Sequence, residues 1–349
     1  IDGRVVVDTI SDGSVADQVT ARPGARLKVD PGVVVKLSGS RIEADRGSAH
    51  IIAEGTPDKP VIFTSLNDDR YGAGSGTFDT SNNGLNTIAS NTASPGDWGG
   101  LLLNLGTRGH FEQAIFAYGG GTAVVEGGET GGFNVLGIHE ADARVANSLF
   151  EFNASGTGGT DGDRNNRETN GAATIFVRGA QPIIVNNDFS NNRGSVISID
   201  ANALKEIGVV DTGASTQPAN AYTQFDANQG PLVRLNRMDV DGTPNNALLG
   251  MEIRQGDLDT ATIWDDTDIV HIVESGTIRN NYSQHLFGGL KLVSDTNASL
   301  IVKMGAGAGF EIGNPDSNDD GRPDDGPLDI DDRIGPSMQI IGQPGFPVV

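Results

Sequence analysis

The apolar residues of this chain come in short runs, each separated from the next by Gly, Asn, Asp, Ser or Pro. The clearest runs cover residues 33–37, 61–63, 101–103, 174–177, 183–185, 196–199, 269–273 and 300–304. Such short, continuous apolar runs between turn residues are typical of strands buried in a sheet. Helical periodicity is confined to residues 200–207, where we expect one or two turns at most. The sequence therefore predicts an all-β protein with very frequent turns.

Asparagine-rich turns repeat along the chain and favour stacked turns of chain over an antiparallel sandwich. Residues 146–153 align with residues 185–192 at an offset of 39, and residues 235–238 form a weaker third copy. In a solenoid, the Asn of one repeat hydrogen-bonds the Asn of the next, which satisfies turn backbone that would otherwise lack partners. Phe and Leu recur beside these positions, as interior stacks require. The chain has 349 residues, but a solenoid grows along one axis, so this length need not mean two domains.

A larger repeat relates the end of the chain to its beginning. Residues 55–62 and 342–349 share the pattern Gly-x-Pro-x-x-Pro-Val-Ile/Val at an offset of 287, whereas residues 34–37 and 301–304 match at 267. The later copy therefore carries an insertion. We predict a β-helix over residues 1–304, an acidic insertion over 305–332, and the start of a second repeat of the 29–62 type over 333–349. Because the second copy ends mid-strand, we expect either that the native chain continues past Val349 as part of a longer repetitive protein or that a partner or crystal neighbour covers this end.

Five stretches together resemble one family of proteins. They are residues 29–36, 60–65, 96–100, 262–271 and 327–335. They resemble large bacterial surface proteins with right-handed parallel β-helix repeats, of the kind common in planctomycete-like genomes. The resemblance implies an all-β, right-handed parallel β-helix, a solenoid with projecting loops, that is secreted or displayed at the cell surface. It implies little about activity, because the same fold carries polysaccharide lyases, tailspikes and adhesins.

The strongest local motif is acidic and lies in the predicted insertion. It reads D-x-N-x-D-G-x-x-D and resembles the calcium loops of EF-hands, dockerins and thrombospondin type 3 repeats. Ca²⁺ takes six to eight oxygen ligands, which alternate residues of a tight loop direct inward, and Gly321 suits the sharp turn. The candidate metal ligands are Asp316, Asn318, Asp320, Arg322 through its carbonyl, Asp324 and Asp325. Position 12 is Pro327 in place of the bidentate Glu, so Asp325, Asp329 or Asp331 would have to supply that ligand; the alternative is a solvated acidic insertion.

Charge and composition limit the partners. The formal net charge of −22 disfavours nucleic acid and anionic membrane surfaces, because both would repel the chain. There is no cysteine, and no apolar run approaches the ~18 residues of a membrane helix. The first residue is Ile1 and not Met, so we expect a leader or an upstream region. The histidines are scattered without zinc spacing, and His271 is expected to be a strand-face residue, not a metal ligand.

No catalytic group stands out from the sequence. Carboxylates are so frequent that some pair at glycosidase spacing would occur by chance. A lyase would need a cationic base on a strand, for which Lys36, Arg178 and Arg234 are conceivable, although each reads more readily as a surface residue. Trp98 and Trp264 could stack on sugars or could equally plug the core. Further acidic clusters at 161–166, 239–242 and 257–259 read as turns, and Asp265, Asp266 and Asp268 flank a strand; the alternative for each is a cation site.

We therefore expect a non-enzymatic structural or adhesive module of an extracellular surface protein, stabilised by calcium. Its expected partners are glycans, other surface or matrix proteins, or further copies of itself. The first alternative is a carbohydrate-active β-helix, either a polysaccharide lyase or a glycoside hydrolase, or a glycan-binding β-helix. A third reading is a passenger or spacer for a distant functional domain. A lateral groove dense in Arg, Asp and aromatic side chains would favour the first alternative, and a plain face would not.

Overall fold

The protein is all-β, as the sequence predicts. The computed structural model describes residues 5–8, 18–21, 24–72, 92–125, 128–158, 170–204, 208–222, 228–238, 246–259, 261–280, 289–312 and 337–349. The strands are β1 (Val5–Asp8), β2 (Gln18–Ala21), β3 (Arg26–Val29), β4 (Val34–Leu37), β5 (Ile42–Ala44), β6 (His50–Glu54), β7 (Val61–Ser65), β8 (Leu101–Leu103), β9 (Arg108–Glu112), β10 (Ala114–Ala117), β11 (Thr122–Val124), β12 (Thr130–Gly132), β13 (Leu136–His139), β14 (Asp142–Ala146), β15 (Leu149–Glu151), β16 (Ala173–Arg178), β17 (Ile183–Val185), β18 (Asp188–Ser190), β19 (Ser195–Asp200), β20 (Leu232–Arg234), β21 (Leu248–Arg254), β22 (Gly256–Asp257), β23 (Ala261–Trp264), β24 (His271–Val273), β25 (Gly276–Asn280), β26 (Gly289–Val293), β27 (Val302–Met304), β28 (Ala308–Ile312) and β29 (Ser337–Ile341). A 3-10 helix, Ala201–Leu204, occupies part of the short helical stretch predicted at 200–207.

Three parallel sheets form most of the molecule. The largest has eight strands in the order β5-β8-β13-β16-β19-β21-β24-β27. A six-stranded sheet has the order β3-β6-β9-β14-β17-β20, and a five-stranded sheet has the order β4-β7-β10-β15-β18. Two three-stranded parallel sheets follow, β22-β25-β28 and β23-β26-β29. Each strand therefore pairs with strands that lie one repeat earlier and one repeat later in the chain.

The chain visits the sheets in a fixed cyclic order. It passes from the six-stranded to the five-stranded and then to the eight-stranded sheet through β3, β4 and β5, and repeats that order through β6, β7 and β8. We call one such passage a round. After β21 the two three-stranded sheets take the first two places in each round, and the eight-stranded sheet keeps the third.

The inward-facing side chains form one apolar core that runs through successive rounds. A single cluster of buried residues extends from Val29 to Leu300. Within it, Phe63, Phe116, Phe150 and Phe189 stack in register, with ring centroids 5.4, 4.6 and 5.0 Å apart. Parallel strands in register place the same side chain of each round above its predecessor, which accounts for this phenylalanine ladder.

Ladders of asparagine side chains hydrogen-bond to one another from turn to turn, and they confirm the repeat offset of 39. The amide of Asn153 donates to Asn192 at 2.8 Å, and the amide of Asn192 donates to Asn246 at 2.8 Å. At the preceding corner, Asn186 donates to Asn147 at 2.6 Å. Asn147 and Asn186 both have φ of 52°, in the left-handed region that Asn tolerates better than most residues. The local physics of the turn therefore explains why Asn recurs there.

The predicted runs coincide with strands, with shifts of one or two residues at their ends. The runs at 101–103 and 183–185 match β8 and β17 at both ends. The larger repeat also has a structural counterpart, since an antiparallel bridge joins Thr56 to Lys59 and another joins Gln343 to Phe346. In the described parts of the chain, no helix has the length and apolar character needed to cross a bilayer.

One hairpin departs from the parallel pattern within the core rounds. β11 and β12 pair antiparallel between β10 and β13. A small apolar cluster of Leu102, Ala123, Val125 and Phe133 attaches this hairpin to the outer face of the eight-stranded sheet. The hairpin is thus an insertion into a round, held by its own apolar contacts.

Candidate functional site

The predicted calcium ligands Asp316, Asn318, Asp320, Arg322, Asp324 and Asp325 lie outside the described residues. Calcium binding there stays a prediction. Within the described ranges, no group of three or more His, Asp or Glu residues is placed to hold a metal ion.

The weaker acidic clusters include turn residues engaged by backbone groups. The carboxylate of Asp266 accepts the backbone N–H of Asp268 at 2.9 Å, and that of Asp265 accepts the N–H of Gln229 at 2.8 Å. Asp257 lies 3.6 Å from Arg279. The clusters at 161–166 and 239–242 lie outside the described residues. Where the structure describes them, these carboxylates therefore have local structural partners.

Both tryptophans belong to the core and not to a sugar-binding face. Trp98 is fully buried, and its indole N–H donates to the carbonyl of Ala117 at 2.8 Å. Trp264 is 1% exposed and stacks on His271 at a centroid distance of 5.8 Å. Burial lowers the pKa of His271 to about 4, so this side chain is a neutral core residue at physiological pH.

The three conceivable cationic bases have different surroundings. Lys36 donates to the carbonyl of Asp68, and Arg234 lies 3.4 Å from Asp268. Arg178 lines a surface cleft.

Arg178 belongs to a row of polar side chains at the C-terminal ends of neighbouring strands in the eight-stranded sheet. His139 pairs with Arg178 in the strand register, Asp200 pairs with Arg254, and the pairing of Val177 with Ile199 places Arg178 beside Asp200. We call His139, Arg178, Asp200 and Arg254 the polar row. Its members come from four successive strands, about 4.8 Å apart. The row therefore runs across the strands, along the direction in which rounds stack.

Arg254 is fixed within the polar row by several contacts. Its guanidinium lies 4.0 Å from the ring centroid of Phe176, donates to Ser198 at 3.0 Å, and lies 3.8 Å from Asp200. Burial lowers the pKa of Arg254 to about 10, and the attraction of Asp200 opposes that shift. Arg254 therefore remains protonated at neutral pH and acts as a rigid support for Asp200.

A cleft of about 730 Å³ lies beside the polar row, at the corner between the eight-stranded and six-stranded sheets. We call it the corner cleft. Its charged lining residues are Glu140, Asp142, Arg178, Asp200 and Asp259. A second hollow of about 220 Å³ shares Glu140 and Arg178 with it. The two hollows thus form adjoining parts of one lateral depression.

Small residues at the corner leave room for the cleft. Ala141, Ala180 and Ala203 are buried and line it. The chain turns sharply in front of the first two, where Glu140 has a φ of 52° and Gly179 a φ of 58°. The backbone N–H of Gly179 donates to the carboxylate of Asp200 at 2.8 Å, which ties this turn to the polar row. The cleft is therefore a consequence of tight corners and short side chains.

A buried ionic network lies on the outer face of the six-stranded sheet. Arg144 is 1% exposed and donates to Glu112 at 2.5 Å and to Asp211 at 2.7 Å. Burial raises the pKa of Glu112, and hydrogen bonds from Arg144 and Asn147 oppose the shift. These charges are sealed from solvent, so they cannot meet a polymeric substrate.

The seal is provided by residues 208–222, which we call the covering segment. Asp211 belongs to it, as does Tyr222, whose hydroxyl donates to Asn147 at 2.7 Å. Val209 and Tyr222 pack on an apolar cluster in the sheet below. Val209 also lines the corner cleft, so docking of this segment completes one wall of the cleft.

Comparison of the chain with protein-family models, with curated proteins and with solved structures gives no match.

The corner cleft combines several acidic side chains with one basic side chain. Its lining places the carboxylates of Glu140, Asp142, Asp200 and Asp259 beside the guanidinium of Arg178. The described carboxylate with a pKa raised by burial is Glu112, and it lies beneath the covering segment. Sequence reasoning identified Arg178 as conceivable but missed the polar row, the corner cleft and the covering segment.

Proposed function

We propose that this chain is a right-handed parallel β-helix that serves as a non-enzymatic structural or adhesive module of an extracellular surface protein. The observation that carries the proposal is the repeated cyclic order of parallel strands around one continuous core. A solenoid of this kind presents a long lateral face and gains length by adding rounds. Right-handedness is supported by the strong preference of parallel crossover connections for that hand.

The interior ladders support a structural role. Phenylalanine rings stack over four rounds, and Asn side chains bridge neighbouring turns. Both kinds of contact join each round to the next, so the stabilising interactions are distributed along the axis of the solenoid. A module built in this way resists local distortion, which suits a spacer or an adhesive support.

The locations of the charged groups support binding over catalysis. Arg144, Glu112 and Asp211 combine charge with burial, but they form a closed network. The acidic composition and the absence of cysteine are compatible with a secreted or cell-surface location, and the D-x-N-x-D-G loop adds calcium as a stabilising ion. Glycans, matrix proteins and further copies of the chain remain the proposed partners.

A second candidate is carbohydrate-active chemistry, and Arg178 in the corner cleft is the observation that favours it. The test is a polysaccharide-degradation screen with calcium and with chelator, scored for new reducing ends and for unsaturated products. We expect no product in either condition. Calcium-dependent product release would overturn the non-enzymatic proposal, and its loss in an Arg178→Gln variant would assign the activity to the cleft.

A further inference from the structure

We propose that the corner cleft binds a saccharide chain without carboxylates, either neutral or amine-bearing, with the chain axis along the polar row. This inference rests on the proposed adhesive role, because it names the partner that the lateral face takes. It also concerns a site that the sequence did not predict.

The size and direction of the depression suit a polymer segment. Its larger part measures about 730 Å³, within the range of sites that enclose a small organic ligand, and the 220 Å³ hollow extends it. Both parts lie beside the polar row, whose members repeat at about 4.8 Å. His139, Arg178 and Asp200 line the depression in that order, so its long direction follows the row, and a saccharide chain laid along it presents its repeating hydroxyl groups to Arg178 and Asp200.

The lining combines the two surfaces that a sugar needs. The half-buried side chain of Val209, beside the closely packed Ala141, Ala180 and Ala203, provides apolar surface for the C–H face of a pyranose ring. The rim provides carboxylates, which accept charge-assisted hydrogen bonds from hydroxyl or ammonium groups, and a guanidinium, which donates to hydroxyl oxygens. Asp200 is held in place by Gly179 and Arg254, so part of this rim is already ordered before a ligand arrives.

The charge of the cleft selects among saccharides. Its lining has four carboxylates, Glu140, Asp142, Asp200 and Asp259, against the single guanidinium of Arg178. The hollow beside it adds Asp45 and Arg46, whose charges cancel. An excess of three negative charges repels a polyuronate and attracts protonated amines. The ligand is therefore an uncharged or amino-bearing chain, not an acidic polysaccharide.

Two rim carboxylates are accessible to such a ligand. Glu140 is exposed, and its carboxylate makes no hydrogen bond or ion pair with the described residues. Asp142 is 79% exposed in its side chain and has a single long ion pair, 3.4 Å to Arg108. Neither group supports the core, so both can be changed without loss of the fold.

The test is isothermal titration calorimetry of the full chain with three hexasaccharides: chitohexaose, its deacetylated form, and hexagalacturonate. We expect binding of the first two at a mildly acidic pH where the amines are protonated, and weaker or no binding of the galacturonate. Glu140→Gln combined with Asp142→Asn should weaken binding of the deacetylated hexamer by about tenfold or more, because two charged acceptors are lost. The matched control is Asp58→Asn combined with Glu274→Gln, which makes the same charge change at exposed positions outside the cleft and should leave affinity within twofold.

Three results would overturn the proposal: no binding of either non-acidic hexamer, tighter binding of the galacturonate, or an equal loss in the cleft and control variants. The same samples are assayed for shortened saccharides. Cleavage with cleft-dependent binding would refute the non-enzymatic function while leaving the ligand assignment intact. Absence of binding would refute the ligand assignment and leave the structural role standing.

Discussion

Replacing Asn153 by Ala should destabilise the protein strongly, because this side chain joins its own round to both neighbouring rounds by three hydrogen bonds. Its oxygen accepts the N–H of Gly119 at 2.8 Å, and its amide donates to the carbonyl of Phe116 at 3.1 Å and to Asn192 at 2.8 Å. Asn153 is fully buried, so water cannot replace these bonds.

The magnitude follows from the groups left unpaired. Each buried polar group without a partner costs roughly 1–3 kcal/mol, and the Gly119 N–H and the Phe116 carbonyl are both main-chain groups. We therefore expect the free energy of unfolding to fall by about 3–5 kcal/mol. Asn297→Ala, at an exposed turn position, should change it by less than about 0.5 kcal/mol.

The assay is equilibrium unfolding in urea followed by tryptophan fluorescence. Trp98 lies close to Gly119 and reports on the affected corner. Hydrogen exchange then resolves the effect by residue, and the N–H of Gly119 should lose protection before amides of distant rounds. A loss in stability below about 1 kcal/mol, with Gly119 still protected, would refute the argument that the asparagine ladder holds neighbouring rounds together.

Three further predictions concern charge and metal. Because burial lowers the pKa of His271 to about 4, its stabilising contribution is complete above pH 6.5 and is lost as the pH falls towards 4. Between pH 7 and pH 5, the free energy of unfolding of wild type in urea should therefore fall by about 2 kcal/mol relative to that of the His271→Leu variant. Arg144→Met leaves Glu112 and Asp211 buried without their cation and should cost about 3–5 kcal/mol at pH 7, and less in acid, where Glu112, with its raised pKa, takes up a proton. Calcium should raise the melting temperature of wild type by several degrees, as for a ligand bound only by the native state, and calorimetry should find no calcium binding to the Asp316→Ala/Asp320→Ala variant.

Each of these has a contradicting outcome. A parallel pH dependence of wild type and the His271→Leu variant would mean that this histidine is not a buried neutral group. A loss below about 1 kcal/mol for Arg144→Met would mean that the covering segment does not depend on the ionic network. Equal calcium affinity in wild type and the double variant would remove the D-x-N-x-D-G loop as the metal site.

The strands and the asparagine ladder were predictable because their causes are local. Runs such as 101–103 and 183–185 are apolar over the length of one strand, and the Asn-rich turns recur at a constant offset wherever two rounds have equal length. Hydrogen-bonding at a turn and burial of a strand both depend on a few neighbouring residues.

The polar row was not predictable, because loops of unequal length separate its members. The successive intervals, from His139 to Arg178, from Arg178 to Asp200 and from Asp200 to Arg254, are 39, 22 and 54 residues, so no fixed spacing links the members. Asp211 is likewise 67 residues from Arg144. A charged residue within the apolar stretch around Val145 was the available signal that a partner covers this face, but the sequence does not identify the partner.

The central claim is that the parallel sheets form one stack of rounds, and a spin-label distance tests it directly. The chain has no cysteine, so Asp45→Cys and Lys303→Cys introduce the two labelling sites, both exposed, at opposite ends of the eight-stranded sheet. Seven strand spacings of about 4.8 Å place the sites roughly 34 Å apart. Double electron–electron resonance should give one narrow distribution centred at about 30–40 Å, and a broad distribution or one centred beyond about 50 Å would contradict a single continuous stack.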